Sequence, residues 1–188
     1  MNQAGFRVIN THFGHIAVVW SVAAGRAGID RILLSKPGFS AERALSRFYP
    51  VLKAVSCETA DILARRIGAF LKGEDIRFAL HEIRLEHCPV FQQKVLTAEH
   101  AIPRGRVSTY GLIAGHMGHP GAARAVGTAL AKNPFPIVIP CHRAVRSDGN
   151  LGGYQGGTEM KRALLGMEGV TFRDPQHVSV RNFYYSSK

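Results

Sequence analysis

Cysteine is scarce in this chain: Cys57, Cys88 and Cys141 are the three in 188 residues. An odd count without a CxxC pair excludes a disulfide framework and fits a reducing compartment. Acidic residues are also few. Thirteen Asp and Glu face 24 Lys and Arg, a formal charge of +11. An excess that large favours a polyanionic partner such as nucleic acid, the plainer alternative being a basic soluble protein. No apolar run approaches the ~18 residues of a membrane span, and the opening MNQAGFRVIN lacks the basic-then-apolar order of a secretory signal. Repeats and low-complexity segments are absent as well. With 46% apolar and 20% charged residues, the chain reads as globular. The expectation is a soluble protein, without metal or cofactor, in the cytoplasm.

The chain changes character near residues 75–90. Before that point, HIAVVWSVAAGRAGIDRILL is β-branched and broken by Gly25 and Gly28, which predicts a hairpin or two strands. A helix is expected at about 56–72, stopped by Gly73. There Ile62, Ile67, Phe70 and Leu71 recur at helical spacing and Cys57 reads as a packed thiol. IRFALHEIRL alternates apolar and polar residues and predicts a strand. Cys88 beside His87, with His81 nearby, lacks the closed ligand spacing of a zinc site.

Beyond Pro89, an apolar stripe of Val90, Phe91, Val95, Leu96 and Ile102 predicts a helix ended by PRGR. Ser108 is placed as the N-cap of a short helix running to Gly118. Pro120 is placed at the start of another, rich in Ala122, Ala123, Ala125 and Gly127. Two short helices joined by a Gly/Pro turn predict a helix-turn-helix, and the small residues would let a partner approach the second helix closely. PFPIVIP reads as a buried strand, RSDGNLGGY as a turn leading into a glycine-rich wing, and Thr158 as the cap of a last helix. The fold class is thus an α/β N-terminal domain over 1–85 and a mainly α domain with helix-turn-helix and wing over 86–173, followed by a tail at 174–188.

Of the three cysteines, Cys141 stands apart, because His142 and Arg143 follow it directly. A thiol attacks only as thiolate, so it needs a proton acceptor or a positive field. In an extended segment neighbouring side chains point to opposite faces, so the relay to His142 requires a water or a kink at Pro140. The imidazole requires an orienting carboxylate in turn, and Asp148, Glu159 and Glu168 all qualify. A buried thiol beside an ordinary histidine is the simpler explanation of a bare Cys-His pair.

The surroundings argue otherwise. ARAVGTAL, NPFPIVIPCHR and SDGNLGGYQGG occur in an order and spacing that resemble the active-site domain of the O6-alkylguanine-DNA alkyltransferases, over about residues 89–173. The resemblance implies single-event, irreversible transfer of an alkyl group from O6-alkylguanine, and from O4-alkylthymine, in double-stranded DNA to the protein itself; a monomer is expected. It implies Cys141 as acceptor, His142 as the base working through a water, and Glu168 as its orienting carboxylate. Asn133 would brace the cysteine turn, and Tyr110 would contact the rotated phosphate and help protonate the leaving guanine. Arg124 would fill the gap left by the extruded base, and Ser147, Tyr154, Gln155 and Gly156 would wall the guanine pocket. Lys161 matches a basic position of the last helix. With His142 and Glu168 in place, the Cys141 pKa is expected to be lowered. His119 before Pro120, and Leu96, replace residues common in the family, Asn and Trp.

Two other classes fit part of the pattern. An alkyltransferase-like lesion binder lacks the acceptor cysteine, and a winged-helix DNA-binding regulator leaves the joint presence of Asn133, Cys141, His142 and Glu168 unexplained.

Overall fold

The computed structural model describes residues 3–55 and 57–186. The chain divides into two compact units, one of residues 1–87 with 134–138 and the other of 88–133 with 139–188.

The first unit is built on a three-stranded antiparallel meander, β1 (Ala4–Thr11), β2 (Gly14–Ala23) and β3 (Arg26–Leu34). Ala24 and Gly25 join β2 to β3 with φ of 50° and 74°, the left-handed pair that a two-residue hairpin requires. Gly25 therefore breaks the run as expected, whereas Gly28 lies inside β3, opposite Ser21. Sequence patterning also passed over β1. The central strand is buried continuously from Ile16 to Trp20, as befits a strand covered on both faces. Helix α1 (Ala41–Phe48) packs Ala41 and Leu45 on Ala17 and Val19. Helix α2 (Glu58–Leu71) lies along all three strands, with Gly73 beyond its end at φ 97°. The predicted start at Ser56 lies outside the described residues. Cys57 is not simply a packed thiol: its Sγ accepts from the Ala60 amide at 3.4 Å and caps α2.

The strand predicted for IRFALHEIRL does not form. Two short 3₁₀ turns, Leu80–Glu82 and Leu85–His87, take its place, with one bridge from Ile83 to Ile29. Arg84 crosses Gly28 instead, donating to the carbonyls of Ser21 and Arg26 at 2.9 Å. A Cβ at position 28 would stand 2.5 Å from its Nε. PFPIVIP is buried as expected but is a turn, not a strand. Its prolines have no N–H for a ladder, and Ile137 sits at φ 77°, a costly conformation for a β-branched residue. Pro134 accepts from the Ile32 amide at 2.8 Å, tying this segment to β3.

In the second unit, α3 (Val90–His100), α4 (Tyr110–His116) and α5 (Ala123–Ala131) pack pairwise. A two-residue parallel pair joins β4 (Ser108–Thr109) to β5 (Ala144–Val145), α6 (Thr158–Met167) follows, and β6 (Phe172–Asp174) pairs with β7 (His177–Val178). Val107, Val145, Leu151, Leu165, Val170 and Val178 form one core cluster. The chain past β7 lies on this unit, the Tyr184 amide donating to Val107 and the Tyr185 hydroxyl to Ala98, both at 2.8 Å.

Three predicted helix starts shift. Thr109, not Ser108, caps α4 by accepting from the Leu112 amide, while Ser108 is buried and donates to Tyr184 at 2.6 Å. Helix α5 begins at Ala123, because Pro120 and Gly121, the latter at φ 93°, belong to the turn before it. Thr158 is the first residue of α6 rather than its cap; Gly157 precedes it at φ 91° with no side chain to offer.

Candidate active site

Pro140 has no N–H and fixes its own φ, so the chain turns sharply after it. Cys141–Arg143 form a single 3₁₀ turn, closed by the Arg143 amide on the Pro140 carbonyl at 2.8 Å. The segment is therefore not extended at the cysteine, and successive side chains fan out at about 120° instead of alternating. Cys141 is 7% exposed and His142 fully buried. The Asn133 side-chain amide bridges the base of the turn, donating to the Ile139 carbonyl and to the Cys141 sulfur, each at 3.2 Å. Gln155 donates to the Asn133 carbonyl at 2.7 Å, so its side chain braces the asparagine turn.

Among the three carboxylates left open by spacing, Glu168 reaches the histidine: Nε2 of His142 lies 3.0 Å from its Oε1. Asp148 is exposed and turned to the Asn150 amide, and Glu159 is exposed on α6. Arg143 clamps Glu168 as well, donating from Nε to Oε2 at 2.9 Å and from Nη2 to Oε1 at 2.7 Å. Its third nitrogen, Nη1, holds the Ile102 carbonyl at 2.6 Å. Sequence reasoning named Arg143 but missed this clamp.

Burial alone would raise the Glu168 carboxyl; the hydrogen bonds and charges of His142 and Arg143 overcome it and hold the group down at about 2. Burial lowers His142, with Glu168 pulling back in part. The Cys141 thiol is pushed up to about 12, mainly by burial, against the lowering effect of Asn133 and Lys161. The lowered thiol pKa expected from the sequence is thus reversed, because desolvation of a buried sulfur outweighs its polar neighbours.

The Tyr154 ring stands edge-on to His142 at 6.1 Å between centroids. Gly156 is buried, and a Cβ there would overlap the sulfur of Met160 and crowd Tyr154. Tyr110 opens α4, half-buried, and a Cβ on Gly152 would come 3.3 Å from its hydroxyl. Burial raises the Tyr110 pKa, aided by the charges of Glu99 and Cys141. Lys161 is completely buried, its ammonium donating to the Ala144 carbonyl at 2.6 Å. Arg124 and Ser147 are not drawn into this cluster. Arg124 is exposed on α5, with no side-chain partner among the described residues, and Ser147 is exposed in the turn at 146–149. His119 is exposed with its ring edge towards Phe91, and Leu96 is fully buried. Glu99 was missed altogether, although it falls four residues after Val95 and three before Ile102, on the buried stripe of α3. Among the described residues no group of three His, Cys, Asp or Glu is arranged to hold a metal ion.

Residues 90–170 match the family model for the DNA-binding domain of 6-O-methylguanine DNA methyltransferase. The chain is 31% identical to the Mycobacterium tuberculosis protein whose crystal structure was solved in complex with DNA, with a TM-score of 0.69 over 88% of this chain and 93% of that one. The chain belongs to the methylated-DNA–protein-cysteine methyltransferase family. Another member of known structure, from the hyperthermophilic archaeon Pyrococcus kodakaraensis, is 25% identical, with a TM-score of 0.66 over 89% of this chain and all of that one. The methyltransferase of Methanothermobacter thermautotrophicus is 48% identical over 105 residues, which cover 56% of this chain and 58% of its own. That of Mycolicibacterium paratuberculosis is 45% identical over 103 residues, 55% of this chain and 61% of its own. The chain thus spans about three-fifths of the length of these curated methyltransferases. Among the described residues no helix is long and apolar enough to cross a membrane.

Proposed function

We propose that this protein repairs O6-alkylguanine in double-stranded DNA, and O4-alkylthymine with it, by moving the alkyl group irreversibly onto Cys141, once per molecule. The observation that carries the reading is the buried thiol held by Asn133 in a one-turn helix whose next residue, His142, is anchored 3.0 Å from Glu168. A binder without chemistry has no use for that acceptor.

With Nε2 of His142 committed to Glu168, Nδ1 is the nitrogen that takes the thiol proton, through a water. The Glu168 carboxylate, kept ionised by Arg143, stabilises the imidazolium that forms. The thiolate attacks the alkyl carbon. A sulfur–carbon bond forms while the carbon–O6 bond breaks, and its electron pair leaves on guanine. Tyr110 helps protonate the departing base, and the proton gained by His142 balances the one that guanine receives. The raised thiol pKa keeps Cys141 protonated and unreactive until an electrophilic base is docked. The thioether cannot be hydrolysed back, so the protein is spent.

The O6 atom of a stacked guanine is out of reach, so the base must be flipped. The pair α4–α5 serves as the helix-turn-helix, with the small-residue helix α5 laid on the minor groove and exposed Arg124 filling the gap left in the duplex. Tyr110 contacts the rotated phosphate. Residues 146–157 act as the wing, with Tyr154, Gln155, Gly156 and Ser147 walling the guanine pocket. On this reading residues 86–173 are the alkyl-transfer and DNA-binding domain, 1–85 the N-terminal domain and 174–188 a tail. The protein works as a monomer, in the compartment that holds the DNA. The test is on the DNA: O6-methylguanine in a duplex should return to guanine in amounts equal to the protein added. Intact lesions beside bound protein would reject the proposal in favour of a binder.

A further inference from the structure

The proposed chemistry uses His142, Glu168 and Arg143, and leaves a second set of buried ionisable groups unexplained. Glu99 on α3 and Lys161 on α6 are both completely inaccessible. Charges out of water are costly unless paired. Among the described residues Lys161 has one hydrogen bond, to the Ala144 carbonyl. Among the described residues no donor reaches either Glu99 oxygen in good geometry. Its relief comes from the charges of Lys161 and Arg143 and from the nearby Ala144 amide. The remaining ionisable groups that sense Glu99 are Cys141 on the 3₁₀ turn, Tyr110 at the start of α4, and Tyr185 beyond β7. Ala144 follows the acceptor turn directly, so Glu99 and Lys161 flank its backbone from two helices.

We propose that Glu99 is a positioning residue for alkyl acceptance, competing with the Cys141 thiolate for the single buried positive charge of Lys161. The inference rests on Cys141 being the acceptor. One ammonium balances one anion. Above about pH 8, where Glu99 is ionised, Lys161 balances its carboxylate. Below that pH Glu99 already carries its proton, so when the thiol proton leaves to His142 the thiolate has Lys161 to itself. Arg143 does not turn to the thiolate, because its guanidinium stays bonded to Glu168 and the Ile102 carbonyl. Burial pushes Glu99 up to about 8, so on rising pH it ionises well before a thiol pushed up to about 12. Burial also lowers Lys161 to about 8, with Cys141 and Glu99 each pulling back upward. Glu99 therefore holds the acceptor in check as pH rises past about 8. Once the sulfur is a neutral thioether, Lys161 is left to Glu99.

The test is iodoacetamide labelling of Cys141 across pH, read by peptide mass mapping, in wild type, Glu99→Gln, Lys161→Met and the double variant. Iodoacetamide reports thiolate without DNA or alkylguanine, so its outcome is separable from success or failure of the alkyl-transfer assay. Glu99→Gln should move the Cys141 profile down by about one pH unit or more, labelling about tenfold faster on its rising limb. Lys161→Met should move it up, and Glu99→Gln should then add almost nothing. Glu99→Leu provides the same comparison if the amide is poorly accommodated in a dry site. Coincident profiles for wild type and both Glu99 variants would overturn the proposal, as would an undiminished Glu99→Gln shift in the Lys161→Met background.

Discussion

Glu168→Gln keeps the shape of the side chain and removes its charge, and the consequence can be sized from the geometry. The carboxyl is fully buried and is held at about 2, against an ordinary 4.5, by His142 and Arg143. At 1.36 kcal/mol per pKa unit, that depression corresponds to about 3 kcal/mol of stability at neutral pH. The substitution also leaves Arg143, whose side chain is 11% exposed, without its anion, and breaking a buried pair typically costs about 3–5 kcal/mol. The two routes agree. For a chain of this size, a loss of about 3 kcal/mol lowers Tm by about 6–12 °C. The pH dependence has a definite sign. Glu168 is an acid whose folded pKa lies below its unfolded one, so its contribution is complete above about 4.5 and is lost as pH falls towards about 2. Urea unfolding of wild type and variant at a series of pH values from neutral downward is the assay. The gap should be full at neutral pH and begin to close below about 4.5. Equal midpoints at neutral pH, or a gap that stays constant as acid is added, would refute the charge clamp.

Arg124→Ala should leave stability within about 0.5 kcal/mol of wild type, as is usual for an exposed side chain. It should slow repair of duplex O6-methylguanine at least about tenfold more than reaction with free O6-benzylguanine, because base flipping costs a few kcal/mol. Equal slowing on both substrates would place the damage in the pocket. Asn133→Ala removes the donor to the Ile139 carbonyl and the Cys141 sulfur, and should cost about 1–3 kcal/mol in urea unfolding. It should also raise the thiol pKa further, moving the iodoacetamide profile of Cys141 to higher pH; an unmoved profile would deny Asn133 any hold on the sulfur.

The surroundings of Cys141 were legible because their chemistry is written locally. Asn133, Cys141, His142 and Arg143 lie within eleven positions, and the three-residue turn after Pro140 brings them together over a short path. Glu168 needed the resemblance, since spacing alone left it equal to Asp148 and Glu159; in space, the Arg143 clamp singles it out. IRFALHEIRL alternates like a strand, but periodicity cannot reveal that Arg84 will satisfy the carbonyls of the β2–β3 hairpin. PFPIVIP reads as a buried strand because burial and strand share one composition, while its prolines and the left-handed Ile137 deny it a ladder. Two of the three shifted helix starts have a glycine at positive φ one or two residues ahead of the helix, Gly121 before α5 and Gly157 before α6. Glu99 and Lys161 both sit on apolar stripes at helical spacing, Lys161 three and four residues before Leu164 and Leu165. A charged residue on such a stripe is the signal that was there to be read. The direction of the thiol pKa was not legible at all, because desolvation depends on burial that residue order does not reveal.

The central claim is tested most directly by intact mass measurement and peptide mapping after incubation with excess duplex DNA carrying O6-methylguanine. The protein should gain one methyl group, on Cys141, and then stop reacting, and Cys141→Ser should gain none. Continued turnover, an unchanged mass, or methyl on Cys57 or Cys88 would contradict it.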